Sequence, residues 1–232
     1  HMDTVMPGEG VKPVLKNRMV YSDGTTILGG DDKSGVAVVL EVLQTIAEGE
    51  LPHPPLEVVL TVQEEVGLLG AKGLDKSQLR ARIGISFDSG GPPGTLVVDT
   101  PTHNSVSAVV HGKAAHSGTC PEEGINAILV AAEALVNMPL GRIDEETTAN
   151  FGTIKGGTAS NIVPDLVELG GEARSRQLTK LETQTAAMVE ALESAARKHG
   201  ATVDVEVTRE YDGYTLTEAH PIISALMTAC RA

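Results

Sequence analysis

Four short clusters of acidic and imidazole side chains lie in the first part of the chain, each at the end of an apolar run. They are His1-Met2-Asp3, Gly30-Asp31-Asp32-Lys33, Glu64-Glu65-Val66-Gly67 and Phe87-Asp88-Ser89-Gly90. If the runs are strands of an open sheet, their ends meet at the edge where ligands bind. Imidazole combined with carboxylate suits zinc, cobalt or manganese better than calcium or magnesium. The clusters therefore predict a metal site, in which two ions sharing a carboxylate would polarise a carbonyl and activate a bridging water.

Each cluster taken alone has a simpler explanation. A lone Asp-Asp or Glu-Glu pair is most often a solvated surface or a helix end. A terminal His1-Met2 is also what cloning leaves behind. It is the succession of four such clusters in this order, each expected at a strand end, that favours a metal site.

The apolar runs around the clusters predict an α/β unit. Residues 56–62, 83–87 and 95–98 are short apolar segments and predict strands, the first of them rich in β-branched residues. Residues 35–47 carry apolar side chains at helical spacing on one face. A helix among such strands indicates an α/β unit with a mostly buried sheet.

The second part of the chain has a different pattern. Strands are predicted at 105–111, 149–154, 166–173 and 202–208, and helices at 124–136 and 178–199, with Gly200 ending the longer helix. This β-α-β-β-α-β order predicts a ferredoxin-like domain at about 102–217. A further helix should begin at His220-Pro221, and we expect residues 218–232 to rejoin residues 1–101 in the first domain.

Composition narrows the possible functions. The formal net charge is −13, so the basic footprint that nucleic-acid binding requires is missing. No apolar run reaches the about 18 residues of a membrane span. Cys120 and Cys230 lie far apart and form no C-x-x-C motif, which argues against a redox pair or a cysteine zinc site. We therefore expect a cytoplasmic protein with free thiols, no signal peptide and no membrane partner.

Several segments resemble one family, the co-catalytic zinc metallopeptidases that include peptidase T, acetylornithine deacetylase and glutamate carboxypeptidase. The matching segments are residues 1–5 with Pro7-Gly8, residues 22–35, residues 64–67 and residues 157–165. The run 22–35 is similar to the peptidase T form of the second metal motif. The resemblance implies an α/β fold: an incomplete zinc-peptidase catalytic domain with an inserted ferredoxin-like α+β lid and dimerisation domain.

The resemblance also implies a role for each cluster. The implied metal ligands are His1, Asp31, Glu65 and Asp88. Asp31 would bridge two divalent ions, with zinc favoured and cobalt or manganese as alternatives. Glu64 would be the general base, and Asp3 would orient the His1 ring. Asp32 would not be a ligand, and the Asp31–Asp32 peptide bond would be cis.

Three residues of the second domain match family positions that contact substrate. His116 would hold the scissile carbonyl, although a loop histidine without a role is the simpler reading of that residue alone. Asn161 would also contact substrate, and Arg174 would clamp a peptide carboxylate. The alternative for Arg174 is an ordinary ion pair on a strand surface, as Arg176 could be.

The function we expect is a metal-dependent exopeptidase, a tripeptidase-like aminopeptidase acting on short peptides. A second reading is an amidohydrolase of N-acyl amino acids, because the same metal centre serves both reactions. A third is a non-catalytic dimerisation module, since the second domain is nearly complete and a homodimer through it is expected.

The pattern departs from the family at both ends of the chain. The family's opening strand and helix and its final histidine ligand have no counterpart among these residues. From this we expect a truncated chain with a weak second metal site and very little activity of its own.

Overall fold

A computed structural model describes residues 1–231 of the chain. The chain folds as two compact units, one spanning residues 1–95 and one beginning at Leu96. Helices and strands are both present, so the α/β class predicted from the sequence is confirmed.

The first unit combines a hairpin, a long helix and extended segments. Its elements are β1 (Pro13–Lys16), β2 (Met19–Ser22), α1 (Gly30–Gly49), α2 (Leu69–Lys72) and a short 3₁₀ turn (Lys76–Gln78). β1 and β2 form an antiparallel hairpin that the sequence analysis did not predict. Its two turn residues, Asn17 and Arg18, both have positive φ, as a type I′ hairpin turn requires.

Helix α1 is longer than the predicted 35–47 and begins beside the second acidic cluster. Asp31 and Asp32 have non-helical backbone angles, so regular helix starts after them. The Asp31–Asp32 peptide bond is cis, as the family resemblance implied. This start places both aspartates at the N-terminal end of α1.

The predicted strands at 56–62 and 83–87 are wrong as paired strands. No described strand lies beside them, and their apolar side chains remain exposed, with Leu56 at 48% and Ile83 at 52%. A β-branched run favours extended backbone, but a strand exists only where a neighbour completes its hydrogen bonds. The predicted strand at 95–98 is also displaced, because the paired residues are Asp99–Thr100. The described residues of the first unit therefore do not form the buried sheet that we expected.

The second unit contains the remaining elements. They are β3 (Asp99–Thr100), β4 (Thr102–His111), β5 (Ala115–His116), a 3₁₀ turn (Pro121–Glu123), α3 (Ala127–Asn137), β6 (Gly141–Arg142), β7 (Thr147–Gly156), β8 (Ile162–Val163), β9 (Leu166–Ser175), α4 (Leu178–His199), β10 (Thr202–Tyr211), β11 (Tyr214–Thr215) and α5 (Pro221–Ala229).

The main sheet of this unit has the order β10-β4-β9-β7-β6, and every pairing in it is antiparallel. Both α3 and α4 pack on this sheet. The order β4, α3, β7, β9, α4, β10 confirms the predicted ferredoxin-like arrangement. The helices cover one face, where alternate strand residues such as Val106, Val167 and Leu169 meet Leu181 and Met188 of α4. Among the described residues of this unit, no helix packs on the opposite, open face of the sheet.

The hydrophobic core belongs to the second unit. The described apolar residues that are buried all lie between Val106 and Ile223. The few buried residues of the first unit are Gly29, Asp32 and Gly35. Burying apolar surface is the main stabilising term in folding, so the second unit holds most of that stabilisation.

The ends of the two packed helices have clear physical causes. The side-chain oxygen of Asn126 accepts hydrogen bonds from the N–H groups of Ile128 and Leu129, which starts α3 three residues later than predicted. Gly200 has φ of 69° and ends α4 in the left-handed region, as predicted.

Helix α5 begins at Pro221, directly after His220, as the sequence indicated. Residues 218–231 belong to the second unit, and their expected return to the first domain stays a prediction. Among the described residues, no helix combines the length and the apolar character that crossing a membrane requires.

Candidate metal centre

The first acidic cluster is held in place by backbone contacts. The N–H of Met2 donates to the carbonyl of Thr61 at 2.8 Å. The Nζ of Lys33 donates to the carbonyls of Met2 at 2.7 Å and Asp3 at 3.1 Å. These contacts tie the segment that carries His1 to residue 61 and to the start of α1. The His1 side chain is only 2% exposed in this position.

The imidazole of His1 faces carboxylates from three other clusters. Its Nε2 lies 3.0 Å from Asp31 Oδ1, 3.7 Å from Glu64 Oε2 and 3.9 Å from Asp88 Oδ2. Its Nδ1 lies 3.3 Å from Asp3 Oδ1. One ring nitrogen therefore points to a group of convergent oxygens, while the other has a carboxylate beside it.

Asp3 connects His1 to the Glu64-Glu65 segment. Its two oxygens accept hydrogen bonds from the N–H groups of Glu64 at 3.1 Å and Glu65 at 3.2 Å. Burial raises the pKa of Asp3, but the N–H groups of Glu64, Glu65 and Asp3 itself and the charge of the terminal ammonium together lower it. Nδ1 of His1 makes no hydrogen bond within the described residues, so the orienting role of Asp3 stays a prediction.

The two adjacent aspartates contact different groups of His1. Asp31 Oδ1 lies 3.0 Å from the ring Nε2, and Asp32 Oδ2 accepts a hydrogen bond from the terminal ammonium at 2.8 Å. Asp32 is 6% exposed, and its Oδ1 accepts the N–H of Gly35 at 3.1 Å, so it caps the start of the helix. Gly35 is needed there because an added Cβ would collide with the Asp32 carboxylate. Asp31 is exposed and reaches His1. Asp32 lies outside both groups of side chains that could share an ion.

Two overlapping groups of side chains could hold a metal. The ligand atoms of His1, Asp31 and Asp88 lie within 4.8 Å of one another, and so do those of His1, Glu64 and Glu65. The structure thus brings together all the ligands that the resemblance implied. It groups Glu65 with His1 and Glu64, whereas the resemblance assigned Glu65 to a second ion with Asp31.

The electrostatics of the site fit a cation. Burial raises the pKa of Glu64, and the charges of Asp88 and Glu65 raise it further. Burial also raises the pKa of Asp88, followed by the charge of Asp31. Carboxylates crowded in this way repel each other, and a divalent cation among them would reverse that repulsion. The donor set of one imidazole and several carboxylates is the chemistry that zinc, cobalt and manganese accept.

A cleft of about 260 Å³ opens beside these ligands. Asp31, Ser34, Phe87 and Asp88 line it, so it joins the N-terminus of α1 to the fourth cluster. Such a cleft gives small molecules access to the carboxylates.

His116 and Asn161 are neighbours in the second unit although 45 positions separate them. Strand β5 pairs with β8, and the N–H of Ser117 donates to the carbonyl of Asn161 at 3.0 Å. Both side chains are exposed. The Nδ1 of His116 accepts the N–H of Gly118 at 3.1 Å, so in the neutral ring the proton sits on Nε2. A ring with that tautomer presents a donor, which is what binding a carbonyl oxygen requires.

Arg174 lies on β9, on the open face of the main sheet. Its Nη2 donates to Glu172 Oε2 at 2.9 Å, and this bond raises the pKa of Arg174. Arg176 makes the surface ion pair that the sequence suggested for it, with Asp99 at 2.6 Å. The roles of His116, Asn161 and Arg174 toward substrate stay predictions.

The sequence analysis missed two residues beside the predicted site residues. Lys33 was not assigned a role, because its targets are backbone carbonyls about thirty positions away. Glu172 was also missed, although its position two residues before Arg174 puts it on the same face of a strand. That alternation could have revealed Glu172.

Comparisons with known proteins agree with this geometry. The family model described as a peptidase dimerisation domain of the M20 type matches residues 102–200. The model described as M42 glutamyl aminopeptidase matches residues 5–119. The first match lies within the second unit, and the second match covers most of the first unit and continues to residue 119 of the second.

Similar full-length proteins fall into one group. The uncharacterized protein YqjE of Bacillus subtilis is 47% identical over 223 residues, covering 96% of this chain and 60% of that protein. Peptidase T of Vibrio parahaemolyticus is 30% identical over 229 residues, covering 92% of this chain and 53% of that protein. The chain therefore spans a little over half the length of the curated relatives it matches.

Two solved structures are similar over nearly the whole chain. A tripeptidase from Staphylococcus aureus is 44% identical with a TM-score of 0.92, covering 100% of this chain and 62% of that one. An aminopeptidase PepT from Bacillus cereus is 47% identical with a TM-score of 0.82, covering 97% of this chain and 60% of that one.

The matched dimerisation domain and the similar proteins together define the class: the chain belongs to the M20 peptidase family. Within that family it belongs to the peptidase T-like subgroup, as its relatives and structural neighbours show. Dependence on divalent metal is a property of this family.

Proposed function

We propose that the protein containing this chain is a metal-dependent exopeptidase that removes the N-terminal residue from short peptides, as a tripeptidase does. The convergence of carboxylates from three clusters on Nε2 of His1, which belongs to the fourth cluster, carries this proposal. The names of the relatives, peptidase T and tripeptidase, support the same reaction and substrate class.

The proposed centre takes two divalent ions, with zinc favoured over cobalt or manganese. We propose His1, Asp31, Glu65 and Asp88 as the ligands, with Asp31 shared as the family resemblance implies; the two groups that lie close together have His1 in common. When bound, the ions supply Lewis acidity, which polarises the scissile carbonyl and lowers the pKa of the attacking water. The number of ions stays a proposal, because His1 belongs to both candidate ligand groups.

The other proposed steps of the reaction, proton transfer and substrate binding, use different residues of the chain. Glu64 takes the proton of the attacking water and passes it to the leaving amine, since its carboxylate lies among the ligands. Asp3 keeps the His1 ring oriented. We propose that Asn161 and the Nε2 donor of His116 contact the substrate backbone, and that Arg174 binds a peptide carboxylate.

Peptide hydrolysis assays with matched variants test this proposal. The chain and any longer product of its gene are incubated with zinc and a free-amine tripeptide, and with an acetylated amino acid in parallel. Glu64→Gln should lower kcat by about 10²-fold or more while zinc binding remains. Asp23→Asn, in a turn of the same unit, should leave kcat unchanged. Equal activity of the Glu64 variant and the wild type would rule out Glu64 as the base.

The same assay separates the alternative functions. Preferred cleavage of the acetylated amino acid would identify an N-acyl amino acid amidohydrolase. Dimerisation with neither metal binding nor hydrolysis would identify a non-catalytic dimerisation module. The cytoplasmic location expected from the sequence stays a prediction.

We also propose that the chain forms a homodimer through the second unit. The exposed side of α3 is apolar, with Leu129 59% and Val136 84% exposed. The neighbouring edge strand β7 is covered by β6 only at Thr148 and Ala149 among the described residues, and Ile154 is exposed along it. An open strand edge beside an apolar helix suits a second copy of the same surface. The description of the matched domain as a dimerisation domain supports this surface.

A further inference from the structure

Glu172 and Arg174 lie side by side on the open face of the main sheet. In β9 the buried residues Val167, Leu169 and Ala173 point toward the helices. Residues two apart in a strand share a face, so Glu172 and Arg174 both project to the opposite side. Their side chains are 37% and 40% exposed.

The guanidinium of Arg174 has one partner on its own strand, Glu172, and one on β10, Tyr211. Its Nη2 donates to Glu172 Oε2 at 2.9 Å, and its Nη1 lies 3.4 Å from the hydroxyl of Tyr211. The same Glu172 oxygen lies 3.2 Å from His103 Nε2. The rings of His103 and Tyr211 meet edge to face with centroids 5.2 Å apart.

Strand register explains why these residues meet. His103 of β4 is directly opposite Arg174 of β9, and Tyr211 of β10 is directly opposite His103. The register of β10 shifts between Arg209 and Tyr211. Without this bulge Tyr211 would face the helices, like Arg209, whose Nε donates to Asn104. Bulges commonly redirect a side chain in this way.

If Glu172 and Arg174 formed an isolated ion pair, the pair would contribute little to the free energy of folding. Half-exposed ion pairs often contribute nothing measurable to stability. Here the carboxylate is shared with His103, and the guanidinium has Tyr211 on its other side. The arrangement restricts the guanidinium before any ligand arrives, and binding then costs less side-chain entropy.

We propose that Glu172 is a positioning residue for Arg174, and that with Tyr211 it holds the guanidinium ready to bind the carboxylate of a peptide. This inference rests on the proposed function, in which Arg174 binds substrate. Glu172 uses one oxygen on one guanidinium nitrogen, so other Arg174 donors remain for the ligand.

The opposite role for Glu172 is an internal competitor, an anion that a substrate carboxylate must displace. The two roles predict changes of opposite sign. Removing a positioning residue raises KM, because Arg174 must be immobilised during binding. Removing a competitor lowers KM, because the guanidinium is set free.

Steady-state kinetics of the Glu172→Gln variant decide between these roles. The variant is made in the longest product of the gene that contains this chain. For a tripeptide with a free carboxylate, KM should rise about three- to tenfold while kcat changes less than twofold. For the same tripeptide with a C-terminal amide, KM should not change. The matched control is Asp204→Asn, which removes another carboxylate paired with a histidine, His111, on the same open face. An unchanged or lower KM for the free-carboxylate peptide would overturn the proposal.

A second measurement does not depend on turnover. In ¹⁵N NMR spectra, rotation of the Arg174 guanidinium should be slow in the wild type and in Asp204→Asn. It should be faster in Glu172→Gln and intermediate in Tyr211→Phe. The same tripeptide and its amide are titrated to follow binding. Suppose that the wild type shows slow rotation and binds only the peptide with a free carboxylate, but does not hydrolyse it. That result would reject the proposed function and keep this inference. Equal rotation rates in wild type and Glu172→Gln would reject the inference alone.

Discussion

At the scale of single residues, the site depends on what holds His1 as much as on the ligands themselves. Asp3 lies beside His1 Nδ1 and accepts the N–H groups of Glu64 and Glu65. One carboxylate therefore holds the segment that carries the proposed base and lies beside the histidine ring that we expect it to orient. A change at Asp3 should disturb ligands that it does not itself supply.

Asp3→Asn should weaken zinc binding by about 10- to 100-fold, the usual cost of losing a residue that orients a metal-bound histidine. Isothermal titration of the metal-free chain with zinc measures this affinity. Asp23→Asn is the matched control, since Asp23 is likewise held by hydrogen bonds, from Thr25, but lies in a surface turn. Equal affinities for wild type and Asp3→Asn would mean that Asp3 does not orient His1.

The residues of the candidate centre could be predicted because each stands in a short motif of chemically distinctive type. Asp31 and Asp32 show the limit of that reasoning. Residue type alone could not tell the exposed aspartate facing His1 from the buried one that caps the helix at Gly35; the family resemblance made that distinction, and the structure gives it a physical basis. The contacts of Lys33 could not be predicted, because its partners are backbone carbonyls, which every residue has.

At the scale of elements, the strands and helices of the second unit are determined by local sequence signals and by the pairing of neighbouring strands. Helix α4 has the clearest end signal, with Gly200 at φ of 69° and its N–H bonded to the carbonyls of Ala196 and Arg197. A left-handed backbone is unfavourable for residues with a Cβ. Glycine at this position therefore contributes to the stability of the fold.

Gly200→Ala should lower the free energy of unfolding by about 1 kcal/mol. Urea denaturation measures it, and the slope of the transition should not change. The control is Gly152→Ala in β7, where φ is outside the left-handed region and the new methyl has ordinary contacts. If the two variants lose equal stability, the conformation of Gly200 is not the cause.

A charged cluster joins the start of α4 to the loop before β7. Lys180 Nζ lies 2.7 Å from Glu146 and 3.2 Å from Asp144. The bond from Lys180 lowers the pKa of Glu146, and the N–H of Glu146 lowers the pKa of Asp144. A carboxyl group whose pKa is lower in the folded than in the unfolded chain stabilises the fold at pH values above its unfolded pKa. This stabilisation is lost as the pH falls through the folded pKa.

Lys180→Met should therefore give a small decrease in melting temperature near pH 7. The difference from wild type should shrink as pH falls below about 4, where the carboxyls become protonated. The pKa of Lys180 is raised by Glu146, so the difference should also shrink above about 10.5. Thermal scans across pH test this, with Lys155→Met as the control. If the difference in melting temperature stays constant down to pH 2, the ion pairs of Lys180 with Glu146 and Asp144 do not cause it.

The elements of the second unit could be predicted because each carries its own pattern and finds its partner nearby. Residues 202–208 alternate strictly, and the structure extends that strand to Tyr211. Residues 56–62 and 83–87 misled us because β-branched composition predicts extended backbone, not a partner strand. The hairpin at residues 13–22 was missed because its turn, Asn17-Arg18, lacks the glycine that usually marks such turns.

At the scale of the whole molecule, the two units differ in what holds them together. The second unit has the buried apolar core, whereas the first exposes many of its apolar side chains. The proposed dimer surface lies on the second unit. Association should therefore respond to changes on α3 without loss of the fold.

Val136→Asp should abolish or strongly weaken self-association, because it places a charge on the apolar side of α3, near the C-terminal end of the helix. Val136 is 84% exposed, so the change should not destabilise the monomer. Light scattering during size-exclusion chromatography gives the mass over a range of concentrations. Leu178→Asp, at an exposed position at the start of α4, is the control. A dimer that persists in Val136→Asp would place the interface elsewhere.

The central claim is a metal centre built around His1 and Asp31, and metal content tests it most directly. Wild type, Asp31→Ala and the control Asp204→Ala are loaded with zinc, dialysed and analysed for bound metal. We predict that wild type and the control retain zinc and that Asp31→Ala loses it. Equal zinc in wild type and Asp31→Ala, or no retained zinc in the wild type, would contradict a metal centre at this place in the chain.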